Sequence, residues 1–127
     1  MSLQPLPELS KSEHEIMQVL WLAEKFSIRE VHDQLDNGWA YSTTKTVMDR
    51  MVKKGLLERG NFHGVFLYRA MISRPTGMAK IVRYFAEKVL KVEYPSVVSM
   101  FAQKGDLTAA EIDELSQLIE NDIKSGS

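Results

Sequence analysis

The stretch His14-Glu15-Ile16-Met17-Gln18 begins as a zinc-protease helix does, but the position four residues on that should carry the second imidazole holds Gln18. A two-histidine metal grip therefore fails on spacing. His14, His32 and His63 fall on separate predicted elements, and no serine or acid is spaced to complete a catalytic triad with any of them. The chain has no cysteine, which removes thiolate nucleophiles, thiolate metal ligands and disulfides together and fits a reducing, cytoplasmic setting. Met48, Met51 and Met78 fall on apolar stripes, where methionine acts as core filler. Catalysis has no support in the residue pattern, and neither a metal nor a cofactor is expected.

The polar residues that remain unexplained lie in "AYSTTKTVMDRMVKKGLLERG", residues 40–60. This segment reads as a helix with Ser42 as its N-cap and Gly55 as the left-handed residue that ends it, after Lys53 and Lys54. Thr44, Val47, Met48 and Met51 make its apolar stripe, which leaves Thr43, Lys45, Thr46, Asp49, Arg50 and Lys53 on the outward side. Hydroxyls beside helix N-terminal N–H groups suit a phosphate, and lysine and threonine further along reach base edges. On that reading Ser42 and Thr43 meet backbone phosphate, Lys45, Thr46 and Asp49 face bases, and Arg50 and Lys53 return to phosphate. Arg50 equally suits a pairing in the neighbourhood of Asp49 or with a carboxylate of the first helix inside the fold, and Tyr41 either stacks on a sugar or packs beside Trp39.

Charge is distributed in a way that fits a polyanionic partner. The net charge is −1, yet residues 1–40 hold 3 basic and 7 acidic groups, residues 41–91 hold 11 and 3, and residues 92–127 hold 2 and 7. A basic middle stands between acidic ends, which by itself also describes a merely solvated face.

The elements that must carry these residues follow from local signals. Ser10 with Glu13, and Ser27 with Glu30, have capping-box spacing and open two helices. The first presents Ile16, Val19, Leu20 and Ala23 on one face, with Glu13, Gln18 and Glu24 in water; the second presents Ile28, Val31 and Leu35 and stops at Asn37-Gly38. After the third helix, runs 56–59 and 65–70, separated by a segment with Gly60, Asn61 and Gly64, read as a β-hairpin. Three helices and a hairpin are the order of a winged helix-turn-helix. Beyond Ser73 only helices are predicted. One runs from about Arg74 to Val92 with Met78, Ile81, Val82, Phe85, Val89 and Val92 on one face, until Tyr94-Pro95 breaks it. A short one carries Val97, Val98 and Phe101 and ends near Gly105; a last one, capped by Thr108 and Glu111, carries Ile112, Leu115, Leu118, Ile119 and Ile123. The chain is thus expected to be mainly α with a small β-hairpin, a winged-helix region over 1–73 and a helical region over 74–127. The extra apolar faces either pack back on the winged module or meet a second copy, and the amount of apolar surface favours the copy.

"LSKSEHEIMQVLW", "TTKTVMDRMVKKGLLER" and "FLYRAMISR" resemble, in order and spacing, the signature stretches of the BlaI/MecI penicillinase-repressor family, over Leu9 to about Leu118. The resemblance implies a winged helix, a C-terminal homodimerisation region and repression through a palindromic double-stranded DNA operator. By position, Trp39 matches the tryptophan before the recognition helix, Thr43, Thr46 and Arg50 match its usual residues, and Lys53, Lys54 and Gly55 match its ending. Candidate DNA contacts are then Ser42, Thr43, Lys45, Thr46, Asp49, Arg50, Lys53, Lys54 and, at the wing tip, His63. Candidate dimer contacts are Ile81, Phe85, Val89, Val97, Phe101, Leu115 and Ile119. The family usually has a basic and a small residue near the wing tip, where this chain has His63-Gly64-Val65. Copper-responsive relatives carry C-terminal cysteines, and this chain has none, which excludes copper sensing through thiolates.

The resemblance also implies a membrane sensor or protease as inducer, cutting before a residue that corresponds to Phe101, although Met100 stands where the family has asparagine. The segment "VVSMFAQKGD" is accordingly expected to be where cleavage would weaken a dimer. The chain itself has no apolar run of about 18 residues, so it is not expected to insert into a membrane. Two competing functions stay open on sequence grounds: a winged-helix adaptor that binds protein, and a repressor that senses a small ligand.

Overall fold

The computed structural model describes residues 5–105 and 107–126. The start of the N-terminal stretch, Asp106 at the end of "VVSMFAQKGD" and the last residue of the 74–127 region lie outside them. The elements are α1 (Lys11–Leu20), α2 (Ile28–Leu35), α3 (Tyr41–Lys53), β1 (Leu57–Phe62), β2 (Val65–Ala70), α4 (Arg74–Tyr84), α5 (Tyr94–Lys104) and α6 (Ala109–Lys124), with a π-helical turn, Phe85–Leu90, continuing α4. They form two compact units, one of Leu9–Ser73 and one that joins the described residues before Leu9 to those from Arg74 on.

In the first unit both predicted capping boxes form. Ser10 Oγ accepts the Glu13 N–H at 3.1 Å while Glu13 Oε1 accepts the Ser10 N–H at 2.9 Å, and Ser27 and Glu30 repeat the exchange at 3.1 and 2.8 Å. Each box satisfies two backbone donors that a helix start leaves unpaired. The core gathers Ile16, Met17, Leu20, Val31, Met48, Met51, Leu57 and Tyr68 from α1, α2, α3 and both strands. Ala23 lies exposed beyond the end of α1, and Glu13, expected in water, is buried.

The hairpin is longer than its composition suggests. Gly60 and Asn61, expected in the loop, pair within β1 opposite Leu67 and Phe66, and the turn is His63-Gly64 alone. Its φ values of 52° and 84° are those of a type I′ turn, whose twist matches that of the flanking strands. Phe26 adds a third strand position: its N–H donates to Tyr68 O at 3.0 Å, and Tyr68 N–H donates to Phe26 O at 2.7 Å.

In the second unit the Thr108–Glu111 box forms at 3.1 and 2.9 Å. Arg74 grips the same carboxylate with two hydrogen bonds, Nε to Oε2 at 3.1 Å and Nη2 to Oε1 at 2.7 Å. The guanidinium, with the Thr108 N–H, pulls Glu111 down to about 2. The helix begun at Arg74 ends not at Tyr94-Pro95 but at Lys91, which takes the left-handed conformation with φ 57°; Pro95 sits in the first turn of α5, where its missing N–H costs nothing.

The predicted stripe of this helix divides between inside and outside. Val82 is buried with Pro75, Gly77, Ala79 and Ala86, whereas Ile81, Phe85 and Val89 are 57%, 44% and 52% exposed. Small side chains let α4 lie close against α5 and α6, and the large ones are left on the outer side. Val97, Leu115 and Ile119, grouped above with the dimer contacts, are buried in this unit's own core, which removes them from any outer surface. Phe101 packs half-buried against that core. Val97 and Val98 of α5 thus pack in one core with Ala79, Val82 and Ala86.

Candidate nucleic-acid interface

Thr44, Met48 and Met51 turn α3 into the first unit's core. The period of the helix then leaves Ser42, Thr43, Lys45, Thr46, Arg50 and Lys53 exposed together, with Asp49 half-buried among them. The helix starts two residues earlier than predicted. Ala40 is its N-cap and makes no side-chain cap, so Ser42 lies inside the first turn and does not cap.

What fixes this end is contact with α2. The buried hydroxyl of Thr44 lies 2.8 Å from His32 Nδ1, the Tyr41 ring meets the His32 ring edge-on at 5.6 Å, and the Arg29 guanidinium lies over the Tyr41 ring at 4.4 Å. Tyr41 thus packs on α2, and the Trp39 backbone N–H donates to Asn37 Oδ1 at 3.1 Å. Arg29 is not among the candidates that the sequence pattern marks. Its signal was an exposed cation one turn from a histidine, on a helix read only for its apolar stripe.

At the other end, Gly55 takes φ 80° after the C-cap Lys54, as predicted. Lys54 Nζ donates to Glu13 Oε2 at 2.6 Å, so Lys54 closes α3 onto α1 and is engaged within the fold. Burial raises the Glu13 carboxyl, but the Lys54 ammonium and the Ser10 N–H outweigh it and hold the group below the ordinary carboxylate value. Of the α1 carboxylates, Glu13 is thus paired with Lys54, and Arg50 stays exposed.

The middle of the face joins the wing. Asp49 Oδ2 accepts from Lys45 Nζ at 3.0 Å, and Asp49 Oδ1 lies 3.8 Å from Nη1 of Arg59 on β1. The Asp49 carboxylate raises the Lys45 ammonium above its ordinary value. Arg59, also absent from the sequence reading, lies over Phe66 of β2 at 4.7 Å from the ring centroid. His63 stands exposed in the turn, edge-on to Phe62 at 4.5 Å. The structure thus brings Lys45, Thr46, Asp49, Arg50 and Lys53 onto one face and leaves His63 apart at the wing tip.

No group of three or more His, Cys, Asp or Glu among the described residues is arranged to hold a metal. No helix among them is long and apolar enough to cross a membrane.

The sequence pattern that defines the penicillinase repressor family matches residues 9–121. The chain belongs to that family. It is 29% identical over 114 residues to the methicillin resistance regulatory protein MecI of Mammaliicoccus sciuri, covering 88% of this chain and 93% of that one. It is 28% identical over 120 residues to the penicillinase repressor of Bacillus licheniformis, covering 93% and 94%. Among solved structures it matches the DNA-binding domain of the repressor BlaI, with a TM-score of 0.50 and 30% identity over 57% of this chain and 90% of that domain. The Leu9–Ser73 unit, three helices and an antiparallel hairpin, is a winged helix, and these relatives are regulators, not enzymes.

Proposed function

We propose that this chain is a DNA-binding transcriptional repressor that acts as a homodimer on a palindromic operator. The observation that carries the reading is the outward face of α3, where exposed hydroxyls and cations share one side of a helix on a winged-helix unit like the BlaI DNA-binding domain. In this reading α3 enters the major groove, Ser42 and Thr43 meet backbone phosphate at its N-terminal end, Lys45 and Thr46 reach base edges, and Arg50 and Lys53 meet phosphate further along. His63 extends the contact from the wing. The exposed Ile81, Phe85 and Val89 are the apolar row that a second copy would cover. Family membership further suggests relief of repression by a membrane sensor or protease acting on α5, whose Met100 is exposed while Val97 and Val98 are buried.

The experiment is selection of bound duplexes from a randomised pool, followed by affinity measurement. The selected sequences are expected to contain inverted repeats with half-sites about 10 base pairs, or a multiple, apart. Lys45→Ala or Thr46→Ala should weaken the selected duplex by about 1–3 kcal/mol and relax its sequence preference, and Lys53→Ala should weaken all duplexes alike. Unchanged binding by all three variants would overturn the assignment.

A further inference from the structure

Asp49 is the only acidic residue of α3, and it stands in the middle of the helix's cationic face. Its Oδ2 holds Lys45 Nζ at 3.0 Å, one turn earlier on the same helix. Helical ion pairs favour the acid on the N-terminal side; this one runs in the opposite order and adds little to helix stability. The second oxygen, Oδ1, is shielded from solvent and accepts no hydrogen bond from any described residue, yet it faces Arg59 Nη1 at 3.8 Å. Arg59 is steadied by the Phe66 ring beneath it. One carboxylate therefore faces two cations from two elements, α3 and the wing, while both cations keep much of their surface in water, at 56% and 42% exposure.

We infer that Asp49 is a specificity-determining positioning residue, which restrains Lys45 and Arg59 from contacting phosphate on any sequence. The inference rests on the reading of α3 as the recognition helix. An unrestrained lysine or arginine gains affinity from every duplex by releasing condensed counterions, whatever the bases. A carboxylate between two such cations partly cancels them and repels phosphate, and it does so on all sequences. Only where a base edge draws Lys45 into a directed hydrogen bond is the loss offset, so the gap between the right sequence and the rest widens. Selectivity is a difference of affinities, and it grows as readily by weakening the wrong complex as by strengthening the right one.

The test uses the full chain and two duplexes of about 30 base pairs, long enough for paired half-sites: one selected by the wild-type chain from a randomised pool, and one unselected. Asp49→Asn keeps the shape and removes the charge. It is expected to bind the unselected duplex about tenfold more tightly at low salt, with a logarithmic salt slope steeper by about one, and to change affinity for the selected duplex by less than about threefold. Asp49→Glu, which keeps the charge, should hold the wild-type slope. In a Lys45→Ala, Arg59→Ala background, Asp49→Asn should leave the slope unaltered. If Asp49→Asn weakens only the selected duplex, Asp49 reads a base and the inference is wrong. Equal weakening on both duplexes, or no change on either, also overturns it. Failure of the underlying reading looks different: the wild-type chain then enriches no duplex from the pool and shows no salt-dependent binding to the unselected one, and both proposals go together.

Discussion

Helices α3 and α4, one from each unit, bury their apolar residues by opposite rules. In the Leu9–Ser73 unit α3 sends Met48 and Met51 inward, both inaccessible, and turns its polar side to solvent. In the unit from Arg74 on, α4 and its π-helical extension bury Ala79, Val82 and Ala86 and leave Ile81, Tyr84, Phe85, Val89 and Leu90 outside. A helix that hides alanines and shows phenylalanine has its larger apolar area unused within its own fold. The difference separates a surface suited to a charged, hydrated partner from one suited to a dry partner.

The strongest way to break this comparison is to delete core volume in the helical unit. Leu115→Ala or Ile119→Ala should destabilise it by about 2–5 kcal/mol in denaturant unfolding, because both side chains are fully buried. Equal tolerance of these and of surface changes would mean that the unit is held by something other than this core. A lesser effect is expected at the outer row. Phe85→Glu should weaken self-association by about 2 kcal/mol, roughly 30-fold in dissociation constant, in sedimentation experiments, with the helical content retained. An unaffected oligomeric state would place the interface elsewhere.

Within the winged unit, neighbouring lysines sharpen the contrast between fold and face. Lys54→Ala should cost about 1–3 kcal/mol in denaturant unfolding, because it leaves the buried Glu13 carboxylate without its ammonium partner. Lys53→Ala should change stability by less than about 0.5 kcal/mol, since its side chain is exposed.

The smallest effect concerns acid. Glu111 lies at about 2 in the folded chain against an ordinary 4.5, so between these values the unfolded chain binds more protons than the folded one. Its contribution to stability is therefore fully present above about 4.5 and is lost as the pH falls from there toward 2. Glu111→Gln should flatten that acid limb in thermal unfolding as a function of pH. An unchanged limb would show that Arg74 does not hold the carboxylate in solution.

How much of this was readable in advance depends on the range of the interaction. The three capping boxes were legible because serine or threonine and glutamate three residues apart complete the contact within one turn. The outward face of α3 was legible because helical period alone separates Thr44, Met48 and Met51 from Lys45, Thr46 and Arg50. The hairpin was legible in kind but not in extent. Gly60 and Asn61 are turn-forming types, yet cross-strand pairing with Leu67 and Phe66 kept them in β1 and passed the left-handed position to His63.

By itself, the sequence determined the order of elements, their caps and the side of α3 that faces outward, all of which depend on residues within a few positions of each other. Tertiary structure alone decided that Glu13 is buried, with a Lys54 partner 41 residues away, and that Arg59 of the wing reaches Asp49. It also decided which side of α4 is inside. Periodicity gathers Ile81, Phe85 and Val89 into a stripe, but a stripe carries no sign. Only packing against α5 and α6, which takes in Ala79, Val82 and Ala86, left Ile81, Phe85 and Val89 on the outside.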